Sequence, residues 1–84
     1  MIRVLLADDH MILRQGVKRL IDDQADMTVV GEVGDGDDVV RTVLDTRCDI
    51  LVLDLSLPSR SGMIIIGELA KCAPEVRIVV LTMY

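Results

Sequence analysis

Four short apolar runs rich in β-branched residues set the main constraint on this chain: Ile2 to Ala7, Thr28 to Val33, Ile50 to Asp54 and Arg77 to Thr82. Each is too short for a core helix and reads as a strand. The runs begin about 22 to 27 residues apart, which leaves room for one crossover helix between each pair. In the first interval Leu13, Gly16, Val17, Leu20 and Ile21 recur at helical spacing, with Arg14, Gln15, Lys18 and Arg19 on the opposite face. Asp37 or Asp38 can cap a second helix that buries Val39, Val40, Val43 and Leu44. Gly62 opens a third helix, which ends at Cys72 shortly before Pro74. The order βαβαβαβ predicts an α/β fold, a doubly wound parallel sheet with right-handed crossovers.

Composition agrees with that layering. The chain has no Phe or Trp and a single Tyr, so its core is built from Val, Ile, Leu, Met and Ala, the usual filling of a parallel sheet covered on both faces. Its 84 residues make one small domain in which every core element matters to stability. Nine Lys and Arg against fourteen Asp and Glu give a net charge of -5, which repels a phosphate backbone. Nucleic acid is therefore not expected to bind this segment. Cys48 and Cys72 have no Cys or His at metal or redox spacing and read as reduced core thiols. No apolar window reaches transmembrane or signal-peptide form, so a soluble cytoplasmic protein without a membrane partner is expected.

Open parallel sheets bind ligands beyond the carboxyl ends of their strands, next to a switch in strand order. The first run ends in Asp8 and Asp9, the third in Asp54 and the fourth in Leu81-Thr82. The second ends in a Gly31 to Gly36 turn whose glycines do not follow the first strand, so it reads as an ordinary turn. Singly, each aspartate could merely cap the helix after it. Brought together, three carboxylates repel one another unless a cation joins them, and an all-oxygen site with few protein ligands suits Mg²⁺. Asp54, with an ordinary pKa of ~3.9, is ionised at neutral pH and can attack phosphorus without a general base, giving an acyl phosphate. The Thr82 hydroxyl could help to neutralise the transferred group. His10 is expected to be a loop or helix-start residue, since neutral imidazole is a poor magnesium ligand. Met11 and Met63 read as packing residues, and Asp22-Asp23 and Asp35-Gly36-Asp37-Asp38 as solvated ends of elements.

The Asp8-Asp9 pair, Asp54-Leu55-Ser56-Leu57-Pro58, Ser61-Gly62 and Leu81-Thr82 together resemble the receiver domains of two-component response regulators. The run from Asp9 to Val17 and the turn Val30-Gly31-Glu32 are similar to the NarL/FixJ subgroup, in which a LuxR-type helix-turn-helix domain follows the receiver. The resemblance implies a flavodoxin-like (CheY-like) fold and a receiver over residues 1–84. It makes Asp54 the phosphoacceptor, Mg²⁺ the cofactor, and Asp8, Asp9, Asp54 and the backbone carbonyl of Ser56 its ligands. Thr82 becomes the switch hydroxyl and Pro58 shapes the loop after Asp54. A sensor histidine kinase is the implied partner, and DNA is reached only through the further domain. The implied function is a transcription regulator switched by phosphorylation, not an enzyme beyond self-catalysed phosphotransfer and dephosphorylation.

The same resemblance implies a last helix, a fifth strand carrying a lysine, and a final helix beyond Tyr84. Lys18 lies mid-helix and Lys71 ends the third helix, so neither stands in for that lysine. The bare edge of the fourth strand is expected to be covered by further chain, by a homodimer or by a swapped oligomer. Met83 is bulkier than is usual after the switch hydroxyl. Tyr84 is expected to hang over the phosphorylation pocket and slow hydrolysis, and Ile64 to be an outward apolar contact. Two alternatives are a stand-alone receiver acting by protein binding and an aspartate-nucleophile phosphatase. The second typically carries another Asp two residues after the nucleophile, where this chain has Ser56.

Overall fold

The structure, a computed structural model, describes residues 1–81; Thr82, Met83 and Tyr84, and the roles expected of them, lie outside the described residues. The elements run β1 (Ile2–Ala7), α1 (Met11–Asp22), β2 (Met27–Val33), a 3₁₀ turn (Gly36–Asp38), α2 (Val39–Thr46), β3 (Ile50–Asp54), α3 (Gly62–Cys72) and β4 (Arg77–Leu81). All strands pair in parallel, in the order β2-β1-β3-β4. This is the βαβαβαβ parallel arrangement expected from the spacing.

Val4, Leu5, Leu6 and Ala7 are all buried because helices cover both faces of β1. The two-residue period of the strand then divides them. Leu5, Ala7, Leu51 and Leu53 pack with Val39 and Val43 of α2 and Ile65 and Leu69 of α3. Val4, Leu6 and Val52 meet Val17 and Ile21 of α1 on the other face. Among the described residues, one face is thus covered by two helices and the other by α1.

That asymmetry corrects the expected face of α1. Val17 and Ile21 turn inward, but Gly16 is exposed and Leu20 is 68% exposed. The helix is rolled toward the side of Arg14, whose Nη1 donates to the Asp8 carbonyl at 2.8 Å and whose Nε lies 3.2 Å from Glu32.

In α2 Val39 and Val43 are buried as expected, while Leu44 is 50% exposed. Neither Asp37 nor Asp38 caps the helix with its side chain. Asp35 instead accepts the Asp37 N–H at 2.9 Å and so starts a 3₁₀ turn ahead of the helix. The acidic cluster from Asp35 to Asp38 therefore does more than meet solvent. Asp22 likewise accepts the Val29 N–H, tying α1 to β2. α3 runs from Gly62 to Cys72 as read, with Ser61 as its N-cap.

Cys48 is buried as expected, but Cys72 is exposed on the last turn of α3. Met11 and Met63, read as packing residues, are also exposed. Ile64 points outward as expected. No helix among the described residues is long and apolar enough to cross a membrane.

The positions that matter most follow from the strand order. β1 and β3 are central neighbours, and the chain leaves β1 toward one edge of the sheet and β3 toward the other. This opens a crevice at their carboxyl ends. Ala7 pairs with Leu53 and Asp54 with Leu81, so Asp8 and Asp54 emerge side by side.

Candidate functional site

Asp8 sits one residue past β1, where the backbone is held from two sides. Its N–H donates to the Val33 carbonyl at 2.9 Å and its carbonyl accepts Arg14. The side chain is buried, and Oδ1 accepts the His10 N–H at 2.7 Å. Asp9, on the loop, remains 37% exposed. Asp54 ends β3 and is buried; its Oδ1 accepts both the N–H and the hydroxyl of Ser56, at 2.9 and 2.7 Å. That turn locks one carboxylate oxygen and turns the other toward the β1 loop.

The loop from Asp54 to α3 is itself tied down. Gly36 N–H donates to the Pro58 carbonyl at 2.9 Å, Ser59 Oγ donates to Asp35, and Arg60 pairs with Asp37 and Glu68. Ser59 holds a left-handed φ of 75°, a conformation that its hydroxyl bond to Asp35 helps to fix.

Two oxygens stand out among the described residues: Asp8 Oδ2 and Asp54 Oδ2 are buried and have no hydrogen-bond partner. An ionised carboxylate is costly to bury unpaired, and a cation placed between these two oxygens would offset that cost. The ligand atoms of Asp8, Asp9, His10 and Asp54 all lie within 4.8 Å of one another, the one such group of three or more among the described residues. An oxygen-rich donor set holding orphaned carboxylate oxygens fits a hard divalent cation such as Mg²⁺.

His10 is the participant that sequence reasoning missed. As the N-cap of α1 it starts a helix, as expected, but its ring enters the acidic group. Nδ1 lies 3.0 Å from Asp8 Oδ1, 3.2 Å from Asp9 Oδ1 and 3.3 Å from Asp54 Oδ2. The hydrogen bond to Asp8, with the charges of Asp9 and Asp54 adding to it against some desolvation, raises the imidazole above its ordinary pKa. Burial pushes the Asp54 carboxyl up, yet the Ser56 N–H and hydroxyl and the His10 ring outweigh it and hold Asp54 below its ordinary value. Asp54 is therefore ionised at neutral pH. The sequence offered one signal for His10, its position directly after the acidic pair, but not the direction of its ring.

Of the residues proposed from the sequence, Asp8, Asp9 and Asp54 come together. Ser56 joins them through its N–H and hydroxyl, a contact its backbone-carbonyl role did not foresee. Thr82 lies outside the described residues. Lys18 and Lys71 sit on α1 and α3 and take no part in the group.

Comparison with known proteins places these features in a family. The model of the response regulator receiver domain matches residues 4–84. The oxygen regulatory protein NreC of Staphylococcus epidermidis is 39% identical over 83 residues, covering 98% of this chain and 38% of that protein. The chain thus spans well under half the length of that relative. Among solved structures, a LuxR-family two-component response regulator from Aurantimonas sp. is 35% identical with a TM-score of 0.89, over 98% of this chain and 59% of that one. RcsB from Salmonella enterica serovar Typhimurium, solved bound to promoter rprA with the phosphomimetic BeF3-, is 29% identical with a TM-score of 0.91, over 100% of this chain and 43% of that one. Together with strand ends that bring Asp8, Asp9 and Asp54 to one crevice, these matches show that the chain belongs to the response regulator receiver domain family.

Proposed function

We propose that Asp54 accepts a phosphoryl group from a sensor histidine kinase in the cytoplasm, beside a magnesium ion held by Asp8, Asp9, Asp54 and the backbone carbonyl of Ser56. The observation that carries this reading is the pair of buried, unpartnered oxygens on Asp8 and Asp54 at the ends of adjacent strands. Ser56 holds Asp54 Oδ1 and keeps the carboxylate ionised, which leaves Oδ2 free to bond. Attack by an ionised carboxylate needs no general base. Asp8 and Asp9 anchor the cation side of the crevice, Asp8 rigidly and Asp9 from an open loop. When bound, the divalent cation supplies neutralisation of the phosphoryl oxygens and of the clustered carboxylates. Thr82, the next residue after β4, is the hydroxyl proposed to turn toward the modified Asp54.

Output is proposed to be control of transcription through a LuxR-type DNA-binding domain that follows the receiver, with a homodimer as the active form. RcsB bound to a promoter, and the transcription-related names of the relatives, support this reading. The receiver itself, at a net charge of -5, is not the DNA-binding surface.

The test is phosphorylation of the full-length protein by acetyl phosphate with Mg²⁺, followed by intact-mass measurement. One phosphoryl group is expected on the parent and none on Asp54→Asn. Asp9→Ala should weaken magnesium binding well beyond Asp38→Ala, whose carboxylate lies outside the group. Undiminished labelling of Asp54→Asn, or equal weakening by the two alanine variants, would overturn the assignment.

A further inference from the structure

The loop that carries Asp8 and Asp9 is bracketed by three consecutive residues at the end of β2, with Arg14 between them. Val33 accepts the Asp8 N–H at 2.9 Å through its carbonyl. Glu32 Oε1 lies 3.2 Å from Arg14 Nε, an ion pair rather than a directed hydrogen bond, since that Nε has no hydrogen-bond partner. At Gly34 a Cβ would stand 3.3 Å from Arg14 Nη1, so the missing side chain leaves the guanidinium its room. Arg14 in turn donates from Nη1 to the Asp8 carbonyl at 2.8 Å, six residues back along the chain.

A helical arginine usually lays its stem on the surface and keeps its charge in water. The Arg14 side chain is instead only 22% exposed, with Nε buried. Taking a guanidinium out of water is costly unless strong partners receive it, and here they are one carboxylate and one main-chain oxygen. That oxygen belongs to the peptide joining Asp8 to Asp9. A peptide is a rigid plane, so holding its oxygen fixes the plane from which Asp9 departs. With the preceding peptide held by Val33, both soft dihedrals of Asp8 are set, and with them the direction of its side chain. Among the described residues Arg14 makes its ion pair with Glu32 and none with Asp8, Asp9 or Asp54. The guanidinium therefore braces the loop while leaving the three carboxylates to a cation.

From this bracket we infer that Arg14, oriented by Glu32, is a positioning residue for phosphotransfer: it fixes the Asp8–Asp9 peptide so that both carboxylates meet the divalent cation beside Asp54. The inference rests on the reading of Asp8, Asp9 and Asp54 as a cation site. Arg14 acts through the loop and touches neither the cation nor the phosphoryl group.

The test uses full-length protein, Mg²⁺ and acetyl phosphate. By titration calorimetry without phosphodonor, Arg14→Gln should bind Mg²⁺ about tenfold more weakly, the usual scale for a group that orients a metal's ligands. Glu32→Gln should cost about threefold, and the double variant no more than Arg14→Gln alone, because the two act as one unit. The labelling rate of Arg14→Gln should need about tenfold more Mg²⁺ to saturate yet return to within about twofold of the parent once it does. Ile21→Ala, which removes apolar packing under the same helix, should lower the urea midpoint but move Mg²⁺ affinity by no more than about twofold. If Ile21→Ala weakens Mg²⁺ binding as much as Arg14→Gln, the loss follows helix stability and the positioning role is overturned. A rate that stays tenfold low at saturating Mg²⁺ overturns it as well, since the defect would then lie at Asp54. If Asp9→Ala weakens Mg²⁺ binding and Arg14→Gln does not, the cation site stands and only the role of Arg14 falls. If Asp9→Ala leaves Mg²⁺ binding unchanged, the cation site itself fails, and the inference with it.

Discussion

Asp54 and Ser56 show how far a single turn can set the state of a side chain. Asp54 is buried, which alone would favour its neutral form, but two donors from Ser56, with the His10 ring, reverse the sign. A folded-state pKa held below the unfolded value means that the folded chain binds this proton less tightly. The stabilisation is present above the ordinary carboxylate range and is lost as pH falls through the depressed folded value. Ser56→Ala removes the hydroxyl donor, so Asp54 should titrate at higher pH than in the parent and the share of acid destabilisation that Asp54 contributes should shrink. Carbon-13 NMR of the carboxyl, without divalent cations, measures this; an unmoved titration would deny the hydroxyl its role. The cysteines differ for a similarly local reason. Burial pushes the Cys48 thiol up, while Cys72 is exposed. Alkylation under native conditions should therefore modify Cys72 readily and Cys48 only as the domain opens.

Two glycines make opposite demands at the level of elements. A Cβ on Gly36 would meet the Arg60 carbonyl at 2.8 Å and the Pro58 carbonyl at 2.9 Å, both backbone atoms of the loop that follows Asp54. The 3₁₀ turn and that loop pack too closely for any side chain. Gly36→Ala should destabilise by roughly 1 to 3 kcal/mol and loosen the Ser56 turn. Gly67, inside α3, has nothing within 4 Å of its would-be Cβ. Gly67→Ala should therefore stabilise by about 1 kcal/mol, the difference in helix propensity. Urea unfolding of the two variants beside the parent decides both signs.

At the scale of the whole described sheet, two helices pack on one face and one on the other, and β4 forms one edge. β4 lies at the edge of the described sheet, with Val79 48% and Val80 42% exposed, and α1 leaves Leu20 outside. An edge strand with exposed β-branched residues is a template for pairing with another chain. A fragment limited to residues 1–84 should therefore self-associate as its concentration rises, and Val80→Lys should shift it toward monomer. Sedimentation velocity across a dilution series checks this; a monomer at every concentration would show that the edge is silent.

Strand positions, the ends of α3 and the convergence of Asp8, Asp9 and Asp54 were legible from one dimension, because each follows from local periodicity plus one topological rule. Short aliphatic runs at crossover spacing make a parallel sheet, and a parallel sheet presents the residues after its strands at one end. The resemblance carried the family and its phosphoacceptor, and the matched relatives agree on the family. Tertiary structure alone decided the features that depend on rotation or on contact across sequence. The inward side of α1 includes Arg14, which reaches the Asp8 carbonyl, a contact that no helical periodicity encodes. The cap of the 3₁₀ turn went to Asp35, which also receives Ser59 from a loop 24 residues away. The entry of His10 into the acidic group depended on the conformation of one helix-start residue, and a side chain's direction is fixed by its neighbours in space.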